Sequence, residues 1–303
     1  MTTPPPDEPV DGATVTWHQL QREAIRRLTD AGLPGPEIDA RRIIQAASGL
    51  EGAELVVGLS AAATVRGVSA LDRMVERRIT GEPLQYVLGS WGFRTLDLLV
   101  DRRVLIPRPE TEQVVGWALD EIDRLRAVVT GRPLVAVDLG TGSGAIALSI
   151  VAERERIEVW ATDVSSGALD VARANLAGLG RPATRVRLVE GSWFDALPAE
   201  LMGCIDVVVS NPPYVAVTDA LPTEVADWEP PGALVSGPTG LESLLPLVAL
   251  APRWLARPGA LVVELAPHQA ESVREAAMVA GFDEAAIADD FTGRHRAVVA
   301  RLA

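Results

Sequence analysis

Asn211, Pro212, Pro213 and Tyr214 follow an apolar run, Cys204-Ile205-Asp206-Val207-Val208-Val209, that reads as a buried parallel strand. A second apolar run, Val135 to Leu139, delivers Gly140-Thr141-Gly142-Ser143-Gly144, a glycine-rich turn that opens a helix. Asparagine brings both an acceptor and donors. The two prolines stiffen the backbone and remove N–H groups, so the Pro212 carbonyl is free to accept. Tyr214 adds an aromatic face that can pack on a planar group and exclude water. Together these residues suit a substrate NH2 that donates to Asn211 and to the Pro212 carbonyl. The glycine turn suits a nucleotide-like cofactor, because glycine lets the backbone approach a ligand and the helix start offers free N–H groups.

Alone, the turn is a weak signal. With Ala145 it also fits the G-x-G-x-x-G/A dinucleotide fingerprint, and Asp163, at the end of the next strand, could accept from a ribose in either class. The neighbouring strand separates the two. Hydride transfer would want a proton donor such as His, Tyr or Lys near the reacting carbon. An amide between fixed backbone units instead holds a planar amide or amine, with its nitrogen aimed at a methyl group. S-adenosylmethionine is therefore the expected cofactor, and orientation the main catalytic effect. No general base is evident.

Positioning both motifs at the carboxyl ends of neighbouring strands requires an open parallel sheet, with ligands at the point where strand order reverses. The pattern supplies one: strands near 134–139, 157–162, 185–190, 204–210 and 259–264 alternate with helices near 144–154, 166–177, 241–255 and 267–280. Residues 285–287 and 296–302 add two strands joined by Asp290-Phe291-Thr292-Gly293, a return so short that it implies an antiparallel edge strand. The fold class is α/β, a Rossmann-like seven-stranded methyltransferase sheet. A small all-helical domain precedes it, with helices from Trp17, from a cap at Asp39, and near 53–59 and 68–79, ending near Gly81. A β-hairpin over 91–105 connects the two, and a helix from Thr111 to about Val128 follows. The divisions expected are a disordered tail over 1–14, a helical domain over 15–90, the connector over 91–112 and the methyltransferase domain over 113–303.

Composition excludes several chemistries. The chain has 303 residues, a formal net charge of -13 and no lysine, so all 28 basic residues are arginine. A P-loop lysine and a pyridoxal Schiff base are ruled out. The acidity gives no footprint for non-specific nucleic-acid binding, and none stable is expected. No apolar stretch reaches the roughly eighteen residues of a membrane span, and the start lacks a signal-peptide layout, so the expected address is cytoplasmic. His18, His268 and His295 are too scattered to suggest a metal site, and Cys204, the single cysteine, reads as core packing. The pairs Arg26-Arg27, Arg41-Arg42 and Arg77-Arg78 read as solvated helix faces.

Over about residues 17–303 the chain resembles the release factor glutamine methyltransferase family, the PrmC/HemK type. The resemblance is carried by Asp138 to Leu148, by Ser210-Asn211-Pro212-Pro213-Tyr214, by Gly81-Glu82-Pro83-Leu84-Gln85-Tyr86 and by Ile106-Pro107-Arg108-Pro109-Glu110-Thr111-Glu112. It implies methylation of the side-chain amide nitrogen (N5) of the glutamine in the Gly-Gly-Gln motif of class I peptide-chain release factors, the protein partner. S-adenosyl-L-methionine would be the donor and S-adenosyl-L-homocysteine the product, with the helical domain helping to grip the substrate. It also implies that Gly140, Thr141, Gly142, Ser143 and Gly144 contact the cofactor, Asp163 its ribose and Trp193 its adenine region, with Asn211 touching it too. Asn211, Pro212, Pro213 and Tyr214 would bind the glutamine, and Asn211, Pro212 and Tyr214 would carry catalysis. The family often has aspartate where this chain has Ser192, which is not counted with the site. Glu229-Pro230-Pro231-Gly232-Ala233-Leu234 resembles a segment after the active-site loop and equally reads as a surface turn. Trp193 equally reads as core packing.

Two other functions stay open. An adenine-N6 or guanine-N2 nucleic-acid methyltransferase would use the same tetrapeptide on any exocyclic NH2, although base flipping calls for a basic channel that the acidity opposes. A cofactor-binding sensor without turnover would keep the fold but have no use for an amide clamp.

Overall fold

The computed structural model describes residues 14–303. Of the tail expected over 1–14, all but Thr14 lies outside the described residues. The chain divides into two compact units, Met1–Gly89 and Ser90–Ala303.

The first unit holds α1 (Trp17–Asp30), α2 (Pro36–Ser48), α3 (Gly52–Gly58), α4 (Val65–Ile79) and α5 (Leu84–Leu88). Helix α1 begins where Thr16 Oγ1 accepts from the Gln19 amide and Gln19 Oε1 accepts from the Thr16 amide, a reciprocal cap. Its apolar stripe, Trp17, Leu20, Ala24 and Leu28, is buried against Ile43, Ile44, Leu71 and Val75 of α2 and α4. Asp39 does not cap α2. That helix starts three residues earlier, after Gly35 at φ 65°, with Pro36 in its first turn. Asp39 is instead buried inside the helix and pairs with Arg78 Nε at 2.7 Å. Nor is the Arg77-Arg78 pair a solvated face. Arg77 grips both oxygens of Glu82 and the carbonyls of Tyr86 and Val87, and Arg78 donates to the Glu82 carbonyl, so together they tie α4 to the short α5. Arg41 and Arg42 are exposed, as charged helix faces usually are.

The second unit opens with an antiparallel hairpin, β1 (Ser90–Phe93) and β2 (Leu96–Leu99), followed by α6 (Pro109–Arg126). Helix α6 starts at Pro109 rather than Thr111, because proline is tolerated where the helix N–H would be unpaired anyway. Then come β3 (Leu134–Leu139), α7 (Ala145–Glu153), β4 (Ile157–Asp163), α8 (Ser166–Gly178), β5 (Val186–Glu190) and β6 (Ile205–Ser210). A short parallel pair, β7 (Val215–Ala216) and β8 (Val235–Gly237), brackets α9 (Thr223–Trp228). The chain ends with α10 (Leu244–Trp254), β9 (Leu255–Glu264), α11 (Ala270–Ala280), β10 (Glu284–Asp289) and β11 (His295–Leu302). Among the described residues, no helix is long and apolar enough to cross a membrane.

Seven strands form one sheet in the order β10-β11-β9-β6-β3-β4-β5. The five strands from β9 to β5 run parallel, while β11 is antiparallel to both β9 and β10. The reversed strand therefore lies one place in from the edge, and β10 is the edge itself. Alternation along β3 explains the layers. Leu134 and Ala136 face the core formed with α6 and α7, whereas Val137 and Leu139 face the one formed with α10 and α11. Each such buried valine or leucine side chain contributes about 1.5–3 kcal/mol. Strand β9 begins at Leu255, earlier than the sequence pattern suggests, because α10 ends at Trp254 and the chain passes directly into the sheet. Cys204 is not core: it is exposed in the turn after Gly203, one residue before β6 begins.

Candidate active site

Strand order reverses between β3 and β6, the place where an open parallel sheet leaves a crevice. In that pair Leu139 stands opposite Ser210, and Ser210 Oγ donates to the Leu139 carbonyl at 2.7 Å. The next residues are Gly140 and Asn211, so the glycine turn and the Asn-Pro-Pro-Tyr segment leave the sheet side by side. Gly140 to Ser143 from the first and Asn211 and Pro213 from the second line a cavity of about 370 Å³.

Backbone chemistry builds the glycine side. Gly140, Gly142 and Gly144 have φ of 75°, 56° and 86°, a region closed to most side chains. A Cβ on Gly140 would lie 3.3 Å from the Trp193 ring, whereas one on Gly142 would meet nothing within 4 Å. The turn therefore presents open backbone toward the cavity at Gly142 and close packing at Gly140. Trp193 itself has φ 43°, a rare conformation for a bulky residue and of the kind that clusters at functional sites. Below the turn, Asp138 is fully buried. Its Oδ2 accepts from Thr141 Oγ1 at 2.6 Å and from the Ala147 amide at 3.1 Å, holding the turn to the start of α7. Its Oδ1 is buried with no hydrogen-bond partner, and burial pushes the carboxyl up to about 7. At the end of β4, Asp163 Oδ2 accepts from the Gly142 amide at 2.8 Å and Oδ1 from the Ser165 amide at 2.9 Å. Burial raises its carboxyl too. A carboxylate has about four lone-pair positions, so Asp163 retains capacity for ribose hydroxyls.

Side chains organise the opposite side. Asn211 Nδ2 donates to Thr111 Oγ1 at 3.1 Å, and Thr111 donates to Glu264 Oε2 at 2.8 Å. Tyr214 OH donates to Glu264 Oε1 at 3.2 Å, while Gln269 Nε2 donates to the Tyr214 carbonyl at 2.9 Å. Burial pushes the Glu264 carboxyl up to about 7 and, with that carboxyl beside it, raises the Tyr214 phenol. Among the described residues, neither Asn211 Oδ1 nor the Pro212 carbonyl takes a hydrogen bond.

Of the residues singled out from sequence, Gly140, Thr141, Gly142, Ser143, Asp163, Trp193, Asn211 and Pro213 line the cavity. Gly144, Pro212 and Tyr214 do not. Gly144 caps α7, where a Cβ would crowd Leu148 at 3.1 Å; Pro212 is buried; and the Tyr214 hydroxyl is turned to Glu264. Trp193 both lines the cavity and packs on the core beneath it.

Further residues, counted with no site from the sequence, border the cavity. Ser192, set aside in the sequence reading, lines the cavity, as do Arg103 to Leu105, Pro107, Pro230, Gly232 and Ala233. Buried Glu229 joins the two outer segments: it accepts from the Ile106 amide at 3.1 Å and pairs with Arg108. The segment from Glu229 is thus a cavity wall rather than a surface turn, and β7–β8 holds it beside Asn211 through the Val215 amide bond to the Leu234 carbonyl at 3.0 Å. Asn175 braces the other wall, bonding both backbone groups of Leu99 and the Ser143 carbonyl. The Ile106 to Glu112 run that carries the family resemblance was the available signal for Thr111, and the Glu229 to Leu234 run that for Glu229; Glu264 carries none, since its partners Thr111 and Tyr214 are far away in sequence.

Comparison with known proteins shows the family. Residues 19–89 match the PrmC N-terminal domain and residues 125–226 the methyltransferase small domain. The chain is 42% identical to the release factor glutamine methyltransferase of Xylella fastidiosa over 81% of its own length and 84% of the relative's. It is 40% identical to the enzyme of that name from Deinococcus radiodurans, over 94% and 98%, and 39% to that from Streptomyces coelicolor, over 93% and 96%. Among solved structures, the catalytic domain of human Mettl16, determined with the MAT2A 3'UTR hairpin 6, superimposes with a TM-score of 0.51 at 15% identity, covering 78% of this chain and 81% of that one. At that identity the likeness speaks to the fold alone. With identity near 40% along almost the whole chain, and the glycine turn and Asn211 on one cavity, the chain belongs to the release factor glutamine methyltransferase family and is a methyltransferase.

Proposed function

We propose that this enzyme transfers a methyl group from S-adenosylmethionine to the side-chain amide nitrogen of the glutamine in the Gly-Gly-Gln motif of class I peptide-chain release factors. The observation that carries the reading is Asn211, which lines the cavity beside the glycine turn with its Oδ1 unengaged among the described residues; the Pro212 carbonyl that follows it is unengaged too. A primary carboxamide nitrogen has two donors and no available lone pair, so two acceptors held by a stiff backbone match it.

The donor set fits the cofactor. Gly140 to Ser143 offer backbone in close approach, Asp163 has free lone pairs for a ribose, and Trp193 and Ser192 line the cavity where an adenine ring could pack. When bound there, S-adenosylmethionine supplies an activated methyl on its sulfonium sulfur, and S-adenosylhomocysteine is the product. The protein's own contribution is positional. Asn211 and Pro212 fix the direction of the amide nitrogen, Tyr214 restricts the space beside it, and the walls at 103–107 and 230–233 exclude water. We assign the helical unit to substrate recognition; it matches the PrmC N-terminal domain. A translation factor as substrate places the enzyme in the cytoplasm.

Incubation with methyl-labelled S-adenosylmethionine and an intact class I release factor is expected to label the factor, and replacing its Gly-Gly-Gln glutamine should abolish the label. Labelling of RNA or DNA instead, or no transfer to any intact factor, would overturn the proposal.

A further inference from the structure

The two ends of the Asn211 amide are similar in size, and only the surroundings decide which one is offered to a ligand. Thr111 Oγ1 stands 3.1 Å from Asn211 Nδ2 and 2.8 Å from Glu264 Oε2. A hydroxyl has one proton to give. An ionised Glu264 can only accept, so the Thr111 proton goes to it, and Thr111 then presents lone pairs to Asn211. Only the NH2 end of the amide can meet them, which leaves Oδ1 for a partner outside the chain. The second oxygen of the same carboxylate takes the Tyr214 hydroxyl at 3.2 Å. Glu264 is 1% exposed and ends β9, whose neighbour in the sheet is β6, the strand that delivers Asn211. One buried carboxylate thereby governs two members of the clamp.

We infer that Thr111 and Glu264 are positioning residues for methyl transfer, fixing the Asn211 amide with its oxygen as the acceptor for a substrate NH2 and holding Tyr214 beside it. This rests on the glutamine-methylating reading above. The physical reason is one of sign. An Asn211 turned to show its NH2 would set donors against donors, and the substrate nitrogen would lose one of its two acceptors.

The test uses the full-length enzyme, labelled S-adenosylmethionine and an intact release factor, comparing wild type, Thr111→Val, Thr111→Ser and Glu264→Gln. Thr111→Val keeps the shape and removes the relay; kcat is expected to fall about 100-fold, the scale on which misdirecting a reacting group costs. Because Thr111 also borders the cavity, cofactor affinity is measured by calorimetry and is expected to stay within about threefold, well under 1 kcal/mol. Thr111→Ser restores the hydroxyl and should recover most of kcat. Glu264→Gln must present an NH2 to Thr111 or to Tyr214, so it should also lower kcat, and it serves if Thr111→Val does not fold. A Thr111→Val or Glu264→Gln enzyme with wild-type kcat, or a Thr111→Ser enzyme as impaired as the valine variant, overturns the inference alone. A wild type that labels no release factor removes the functional reading, and this inference with it.

Discussion

The two sides of the cavity each rest on a buried carboxylate, and they use it differently. Asp138, near the end of β3, spends one oxygen on a threonine and a helix amide and leaves the other without a partner. Glu264, at the end of β9, engages both oxygens with side chains that reach the clamp. Burial pushes both up to about 7. One carboxylate therefore holds the backbone in shape, where glycine already restricts what can stand there; the other fixes which way side-chain donors and acceptors face. Cofactor binding should depend on the first side and the chemical step on the second.

Asn211→Ala breaks the comparison most severely. It removes an acceptor, and methyl transfer is expected to drop by about 1,000-fold, in the range for losing one oriented hydrogen-bonding group at a reacting centre. Cofactor affinity should change far less, as calorimetry on the same variant will show. Gly140→Val is the converse. With φ at 75° and the Trp193 ring 3.3 Å from any Cβ, the turn must shift, and cofactor affinity is expected to weaken by about tenfold to 100-fold, or 1.4–2.8 kcal/mol. Equal losses in kcat and cofactor affinity for both variants would show that the sides do not divide the work.

The carboxylates also predict a pH signature. A carboxyl raised to about 7 stays protonated in the fold while the unfolded chain ionises near 4. Between those values the native state holds the extra proton, so this contribution to stability is full at the acid end, falls as pH rises toward 7, and is flat above. Asp138→Asn cannot titrate, so the stability difference between wild type and variant should move against the wild type by roughly 1–3 kcal/mol from pH 5 to pH 8 in urea titrations. Glu264 makes a kinetic counterpart. Its relay needs the ionised form, so wild-type kcat should climb through about pH 7, and Glu264→Gln should lose that inflection. The charged and titratable groups acting on Glu264 are Tyr214, Arg296 and Glu110, and all three remain in Glu264→Gln.

The division also marks what could be read from the chain. The strands from Leu134, Ile157 and Ile205 were legible because a sheet covered on both faces demands continuous apolar runs. The glycine turn and Asn211 were legible because their residue types are demanded locally. Glu264 was not, nor were the bonds that Glu229 makes, since a buried carboxylate is recognised by partners 153, 50 and 123 residues away. Asp39 and Cys204 show the same limit from both directions. A helix-start aspartate proved to be an interior ion-pair partner, and a cysteine expected in the core proved exposed in a turn. Elements as short as α5, β7 and β8 carry too few residues for a period to declare itself.

The most direct measurement is a crystal structure of the enzyme with S-adenosylhomocysteine and a peptide bearing the Gly-Gly-Gln sequence. The account predicts the glutamine carboxamide nitrogen within hydrogen-bond distance of both Asn211 Oδ1 and the Pro212 carbonyl, facing the sulfur of the cofactor product. A carboxamide bound elsewhere, or one met by the Asn211 NH2, would contradict it.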